Sequence, residues 1–309
     1  MKLALVGFDN TSKSLANEAI KRNHELIGIC SKFTAQSTTW GTKKNIPIYS
    51  IPGRMLAIPK LNAVLVSSNT EISTPFCSKV LNQGIHIYVS GQRDLNPKQV
   101  QALDKILTAG KGKILFESRL ENSSPLNSLA VQASSGKIGD TGFIKIHSGW
   151  PYPPKKESNK GGVVTHQLAH QFRWLVQHFG PVKKVFAQGV QNSAKRKLDY
   201  AMITLTLKKG TLVQIIGSFQ TGITPFCRAE ICGTNGMVQY DSSDSPIQTH
   251  TGSTRSPELG SLVEKNWESF ESLIASRTKG TQQAKHFLQA QRIASSALQS
   301  MKSGKPISL

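Results

Sequence analysis

The chain is short of acids. Against 38 Lys and Arg it carries 18 Asp and Glu, a formal charge of +20 over 309 residues. Aromatic residues are also sparse, at 7%, and there are four cysteines, Cys30, Cys77, Cys227 and Cys232. None of these forms a C-x-x-C pair. Cys227 and Cys232 stand an odd number of positions apart in a strand-like run, which sends their side chains to opposite faces. This spacing argues against structural zinc and against a disulfide framework. It predicts reduced, mostly buried thiols, as in a cytoplasmic protein. No apolar run approaches the roughly 18 residues that span a bilayer, so no membrane partner is expected. The apolar opening, residues 1–7, is too short for a secretory leader and reads as a buried first strand.

What is present suits two domains. Apolar residues make up 38% of the chain, with a mean hydropathy of −0.26, and 309 residues exceed one domain of ordinary size. Over residues 1–118, short apolar runs (2–6, 25–30, 46–49, 62–67, 85–89 and 113–116) alternate with stretches of helical period (11–22, 72–82 and 97–108). Strand and helix in alternation imply a doubly wound parallel sheet, an α/β Rossmann fold that binds a nucleotide. Residues 119–309 read differently. A helix at 125–135 precedes longer strands at 143–148, 184–190, 200–207, 212–219, 228–232 and 237–240, with turns at Lys208-Lys209-Gly210-Thr211 and Gly233-Thr234-Asn235-Gly236. The expected second domain is α/β, with a large, open, mostly antiparallel sheet and a helix at 164–179. Helices at 262–276 and 282–301 close the chain, and the final segment is expected to pack back on the first domain. Segments 151–162 and 241–257 read as loops.

A dinucleotide-binding turn places glycines where the first strand meets the first helix, so that a diphosphate can reach the backbone. Here the turn reads Gly7-Phe8-Asp9-Asn10-Thr11-Ser12. Only the first glycine is kept, and Asp9 brings a carboxylate to a place meant for phosphate. Two readings follow. Either Asp9 turns away and a cofactor binds against Gly7, Phe8, Asp9, Asn10 and Thr11, or Asp9 caps the helix and nothing binds. After the second strand, Ser31 and Lys32 stand where an acid would hold a free ribose hydroxyl. A hydroxyl and an ammonium suit a 2′-phosphate, so NADP is favoured over NAD.

Several weak motifs arrive in order along the whole chain. They are residues 2–7, residues 62–68 with Asn82-Gln83-Gly84-Ile85-His86-Ile87, Ser135-Gly136-Lys137-Ile138-Gly139-Asp140, Gly161-Gly162 with its helix, residues 230–240, and the tail with Gly304-Lys305-Pro306-Ile307. In these the chain resembles the glucose–fructose oxidoreductase/inositol dehydrogenase (Gfo/Idh/MocA) family. The resemblance implies hydride transfer between a nicotinamide and a hydroxyl carbon of a sugar, polyol or related metabolite. It also implies a homo-oligomer assembled through the C-terminal sheet. Ser67, Ser68, Asn69 and Ser90 fall at cofactor-facing positions. The family's Glu-Lys-Pro reads Ser90-Gly91-Gln92, so its catalytic lysine is missing, and the following Arg93, permanently charged, can bind substrate but not transfer a proton. After Gly161-Gly162 the family's Asp, His and Asp read His166, His170 and Arg173. His170 is thereby implied as the proton-transfer group, with His166 beside it and Arg173 as a substrate ligand.

In an α-helix His166, His170 and Arg173 share one face. Two histidines one turn apart can also bind a metal, but zinc needs a third ligand and none is evident, so no metal is expected. With both lost acids replaced by basic groups, the site between the domains suits a small anionic substrate. It lies in a basic stretch, since residues 141–221 hold twelve Lys and Arg against Glu157 and Asp199. The first reading is therefore a divergent NAD(P)-dependent oxidoreductase. The alternative is a non-catalytic relative that binds a ligand or a partner and carries no cofactor. Nucleic-acid binding ranks third, because Lys183-Lys184, Lys195-Arg196-Lys197 and Lys208-Lys209 carry little aromatic interleaving.

Overall fold

The computed structural model describes residues 1–31, 35–68, 70, 73–91, 94–118, 120, 125–151, 161–191, 198–220, 225–242, 244–249, 252–254 and 262–309. They fall into two compact units, one of residues 1–92, 98–118 and 260–285, the other of 93–97, 119–259 and 286–309.

The first unit runs β1 (Lys2–Val6), α1 (Asn10–Lys21), β2 (Glu25–Cys30), α2 (Ala35–Lys43), β3 (Ile48–Tyr49), α3 (Pro52–Leu56), β4 (Ala63–Val66), α4 (Thr74–Asn82), β5 (His86–Val89), α5 (Pro97–Ala109) and β6 (Ile114–Phe116). Continuous apolar strands such as Ala63–Val66, buried throughout, are those of a parallel sheet covered on both faces. All pairings are parallel, and the order is β3-β2-β1-β4-β5-β6. The chain thus reverses direction across the sheet between β1 and β4, and ligands of such sheets sit beyond the strands' C-terminal ends at that reversal. A later helix, α8 (Leu262–Ala275), completes this core. Its Trp267 stacks on Tyr88 at 6.0 Å, and Phe270 meets the same ring edge-on at 5.4 Å. Asn266 closes a buried pair of hydrogen bonds with Ser118, donating from Nδ2 to the carbonyl at 2.9 Å and accepting from the N–H at 3.1 Å. Lys113 donates to the carbonyls of Leu273 (2.7 Å) and Ser276 (2.6 Å), placing a cation where the helix leaves its last acceptors open.

The second unit holds α6 (Pro125–Ser134), β7 (Thr141–Pro151), a π-helical turn (Val164–Leu168) leading into α7 (Ala169–Phe179), then β8 (Val182–Val190), β9 (Tyr200–Leu207), β10 (Leu212–Gln220), β11 (Phe226–Gly233), β12 (Gly236–Asp241), β13 (Asp244–Thr249) and β14 (Gly252–Thr254). The chain closes with α9 (Gln282–Ser303) and β15 (Ile307–Ser308). Nine strands form one sheet in the order β14-β13-β12-β11-β7-β10-β9-β8-β15. Among the described residues only β7 and β10 pair in parallel. Alternate residues of the central strands, among them Ile144, Ile146, Ile203, Val213 and Ile231, enter one core with Leu168, Phe172, Leu175 and Ile293 of the helices. The residues between them point the other way. There the ladder carries Phe143, Lys145 and His147 beside Leu212, Gln214 and Ile216, and Met202 and Leu212 are exposed.

The parallel first sheet and the mostly antiparallel second sheet are as expected, and the hairpin at Lys208–Thr211 closes with Leu207 N–H donating to the Thr211 carbonyl at 2.9 Å. The stretch 241–257 differs from its reading as loop, since it contributes β13 and the edge strand β14. Its polar composition hides pairing that runs through the backbone alone. Among the described residues no helix is long and apolar enough to cross a membrane.

Candidate active site

At the end of β1 the chain turns at Gly7, whose φ of +83° is left-handed. A Cβ there would collide with the hydroxyls of Thr70 and Ser67, so only glycine fits. Asp9 then caps α1. Its Oδ1 accepts from Ser12 N–H at 2.7 Å, and its own N–H donates to Ser12 Oγ at 2.8 Å. The carboxylate's other oxygen accepts from Ser68 Oγ at 2.6 Å, linking the β1 turn to the segment after β4. The cap forms as one of the two readings of Asp9 anticipated. It takes the N–H of Ser12, while Asn10 and Thr11, the first two residues of α1, stay exposed at the same helix end.

Further along the same edge Ser67 and Thr70 share a hydrogen bond of 2.9 Å. Ser31 follows β2 and donates its N–H to Tyr49 at 3.1 Å. Ser90 follows β5, buried, and its hydroxyl donates to Glu117 Oε2 at 2.7 Å, as does Gly91 N–H. Glu117, directly after β6, was missed in the sequence. A search of strand ends for lone acids would have found it. Ser67, Ser68, Ser90, Gly91 and the close turn at Gly7 line these strand ends with backbone and hydroxyls beside the hydrogen-bonded carboxylates of Asp9 and Glu117. Such a lining can meet an extended dinucleotide through its backbone N–H and hydroxyl groups. Lys32, Asn69 and Arg93 lie outside the described residues.

In the second unit, Gly162 has φ +57°, and a Cβ on it would strike the backbone of Leu198. Val163 N–H donates to that same carbonyl at 3.0 Å. Two glycines and three β-branched residues, Val163, Val164 and Thr165, open this helix, a poor start for regular α geometry. The helix begins instead with the π turn, a form that gathers at functional sites. His166 sits within it, half-buried, its ring edge-on to Phe219 of β10 at 5.8 Å. His170 follows in α7 and is 7% exposed, and Arg173 is 2% exposed with its guanidinium 5.9 Å from the Phe287 ring. The three side chains thus share a helix, but His166 packs towards β10 and Arg173 towards α9. Between them Gln171 donates from Nε2 to Ser148 Oγ at 2.7 Å. Gln171 Oε1 and Thr165 Oγ1 are buried and meet no hydrogen-bond partner among the described residues.

The histidines further along this layer are electrostatically disfavoured as cations. Burial lowers the pKa of His178, and His286 is lowered by burial first, then by Arg173 and His178. Burial also holds the thiols protonated, raising Cys77 to about 12 and Cys227 to about 11, so neither is a poised nucleophile. Among the described residues no cluster of three or more His, Cys, Asp and Glu is arranged to hold a metal.

A histidine whose folded pKa lies below its unfolded value binds its proton more readily in the unfolded chain. His178 and His286 therefore leave stability intact above the ordinary imidazole pKa of about 6.5 and remove it as pH falls through the lowered values. Unfolding measured between neutral pH and pH 5 should lose up to about 1.4 kcal/mol per pH unit for each proton taken up. His286→Gln should flatten that dependence, and an unchanged pH profile in the variant would contradict the assignment.

Residues 130–239 match the family model of the GFO/IDH/MocA C-terminal domain. The chain is 26% identical over 278 residues to the uncharacterized oxidoreductase YrbE of Bacillus subtilis strain 168, covering 82% of this chain and 80% of that protein. Among solved structures it is similar to a putative myo-inositol dehydrogenase from Sinorhizobium meliloti, with a TM-score of 0.81, 20% identity, and coverage of 100% of this chain and 99% of that one. It is similar also to the WlbA dehydrogenase of Chromobacterium violaceum, solved with NADH and UDP-GlcNAcA, with a TM-score of 0.83, 15% identity, and coverage of 100% and 96%. With a six-stranded parallel sheet in one unit and the matched C-terminal domain in the other, the chain is similar to the Gfo/Idh/MocA family.

Proposed function

We propose that this protein is an NAD(P)-dependent oxidoreductase that moves a hydride to or from a small anionic hydroxy or keto metabolite, with His170 as its acid and base. The observation that carries this is the burial of His170, 7% exposed and introduced by a π turn, in a chain whose other unit has the β3-β2-β1-β4-β5-β6 sheet. The non-catalytic alternative is not favoured, because the curated relative and the structural neighbours cited above are oxidoreductases or dehydrogenases.

The nicotinamide, when bound, supplies or accepts the hydride. The rest falls to this chain's side chains. Gly7, Phe8, Asn10 and Thr11 offer backbone to the diphosphate, and Asp9 holds the turn through Ser12 and Ser68. Ser67, Ser68, Asn69 and Ser90 would hold the remainder of the cofactor. Ser31 with Lys32 selects a 2′-phosphate, which makes NADP the preferred form. His170 holds or releases the substrate hydroxyl proton, work that one positioned imidazole can do without a lysine. His166, Arg173 and Arg93 bind the substrate's negative charge, since a guanidinium matches a carboxylate or phosphate with paired donors. Thr165 Oγ1 and Gln171 Oε1, buried and without a hydrogen-bond partner among the described residues, support a polar ligand near this helix, because such atoms call for a partner. Free cysteines among the described residues are consistent with a cytoplasmic location.

Titration with NADPH and NADH tests the reading directly. NADPH should bind more tightly, Lys32→Asp should reverse the order, and Asp9→Gly should strengthen both by removing a carboxylate that opposes the diphosphate. No binding of either dinucleotide would overturn the proposal.

A thermal-shift screen addresses the substrate. Carboxylated and phosphorylated metabolites should stabilise the protein, and the gain should shrink in Arg173→Ala and His166→Ala. Stabilisation by neutral polyols alone, unaltered in both variants, would remove the case for an anion.

The sheet face that carries exposed Met202 and Leu212 is proposed as the contact of a homo-oligomer. Like charges repel across any self-contact of so basic a chain, so association should tighten with salt. Light scattering that finds a monomer at micromolar concentration, in low and in high salt, would refute it.

A further inference from the structure

We infer that Glu117 discriminates between the redox states of the nicotinamide ring, favouring the oxidised form. The inference rests on the cofactor reading above.

Its place in the fold supplies the first argument. The sheet divides at the reversal into two mononucleotide-binding halves. The β1–β3 half carries the Gly7 turn and Ser31, the positions that meet diphosphate and adenosine ribose. The other half, β4–β6, is left for the nicotinamide. Glu117 directly follows β6, and its N–H donates to the carbonyl of Val89 on β5 at 2.8 Å, which fixes it level with the strand ends.

The second argument is how its side chain is held. Oε2 accepts from both Ser90 Oγ and Gly91 N–H, each at 2.7 Å. Two donors from one turn fix the carboxylate over the end of β5. Glu117 is half-buried, in a setting where charge is screened less than at an open surface. Asp9, the other described carboxylate on this edge, belongs to the diphosphate side and is engaged with Ser12 and Ser68.

The third argument is chemical. The oxidised ring carries one positive charge that the reduced ring lacks, while the rest of the dinucleotide is the same in both. A fixed carboxylate beside the ring therefore acts on the difference between the two forms, whereas phosphate and ribose contacts cancel from it. By linkage, a protein that binds the oxidised cofactor more tightly makes the bound reduced cofactor a stronger hydride donor. Glu117 would bias the reaction towards reduction of the substrate.

The test is the ratio of the dissociation constants of NADPH and NADP+, measured by calorimetry in the intact chain. Glu117→Gln keeps an oxygen acceptor for Ser90 and Gly91 and removes the charge, so the ratio should fall about fivefold to tenfold. Glu117→Asp keeps the charge and should hold the ratio within about twofold of the parent. Glu25→Gln removes an acid from the opposite end of the same sheet and should leave the ratio unchanged. Equal weakening of both forms in Glu117→Gln would show a merely structural role and overturn the inference. Should that variant not fold, a collapse of the ratio in Glu117→Asp would do the same. Failure of the parent chain to bind either form would instead defeat the cofactor reading itself, so the two failures are distinct.

Discussion

The Asp9 carboxylate joins the two strand ends between which the first sheet reverses. One oxygen accepts the N–H of Ser12 and so starts α1, and the other accepts the hydroxyl of Ser68 beyond β4. A glycine at position 9 would leave both donors to be satisfied by a ligand or by water. The acid instead fixes the turn before any ligand arrives. That choice has a cost in charge, because a carboxylate and a diphosphate repel each other over the few ångströms of such a loop. The neighbouring Gly7 shows that the close packing of backbone at this reversal has been kept, since Thr70 and Ser67 occupy the space a side chain would need.

Much of the fold was legible because burial and period agreed. The strands of the first sheet are continuous apolar runs, as buried parallel strands must be, and β9 and β10 alternate as half-covered strands do. The helix α2 was not legible. Its sequence AQSTTWGTK places no apolar stripe at helical spacing, and among the described residues it buries Ser37 and Gly41. The strands β13 and β14 stayed hidden for a related reason, since their membership of the sheet rests on backbone pairing with β12 and with each other.

The candidate site was legible by position and less so by environment. His166, His170 and Arg173 were read from spacing as one α-helical face. The chain places a π turn under the first of them, which spacing cannot reveal, because inserting one residue in a turn leaves no mark on composition. A lone arginine is by default exposed, yet Arg173 is 2% exposed against Phe287. Glu117 carries no motif at all. Its hydrogen bonds come from β5 and β6 lying side by side, so that an acid after one strand can accept from the turn after the other.

The distribution of charge gives these local features a common direction. The helix of the second unit carries His166, His170 and Arg173, and the layer beyond them disfavours further protonation, with His286 lowered by burial and by Arg173 and His178. Neutral imidazole at physiological pH is the form that can accept a proton, so a basic environment keeps a histidine available as a base. The same positive field attracts an anion, and an anion once bound compensates the field and makes protonated imidazole easier to form. Substrate charge and acid–base chemistry are therefore coupled in such a site. Under the proposed reading, acid–base chemistry needs no lysine, because a bound anion would itself favour protonation of a neighbouring imidazole.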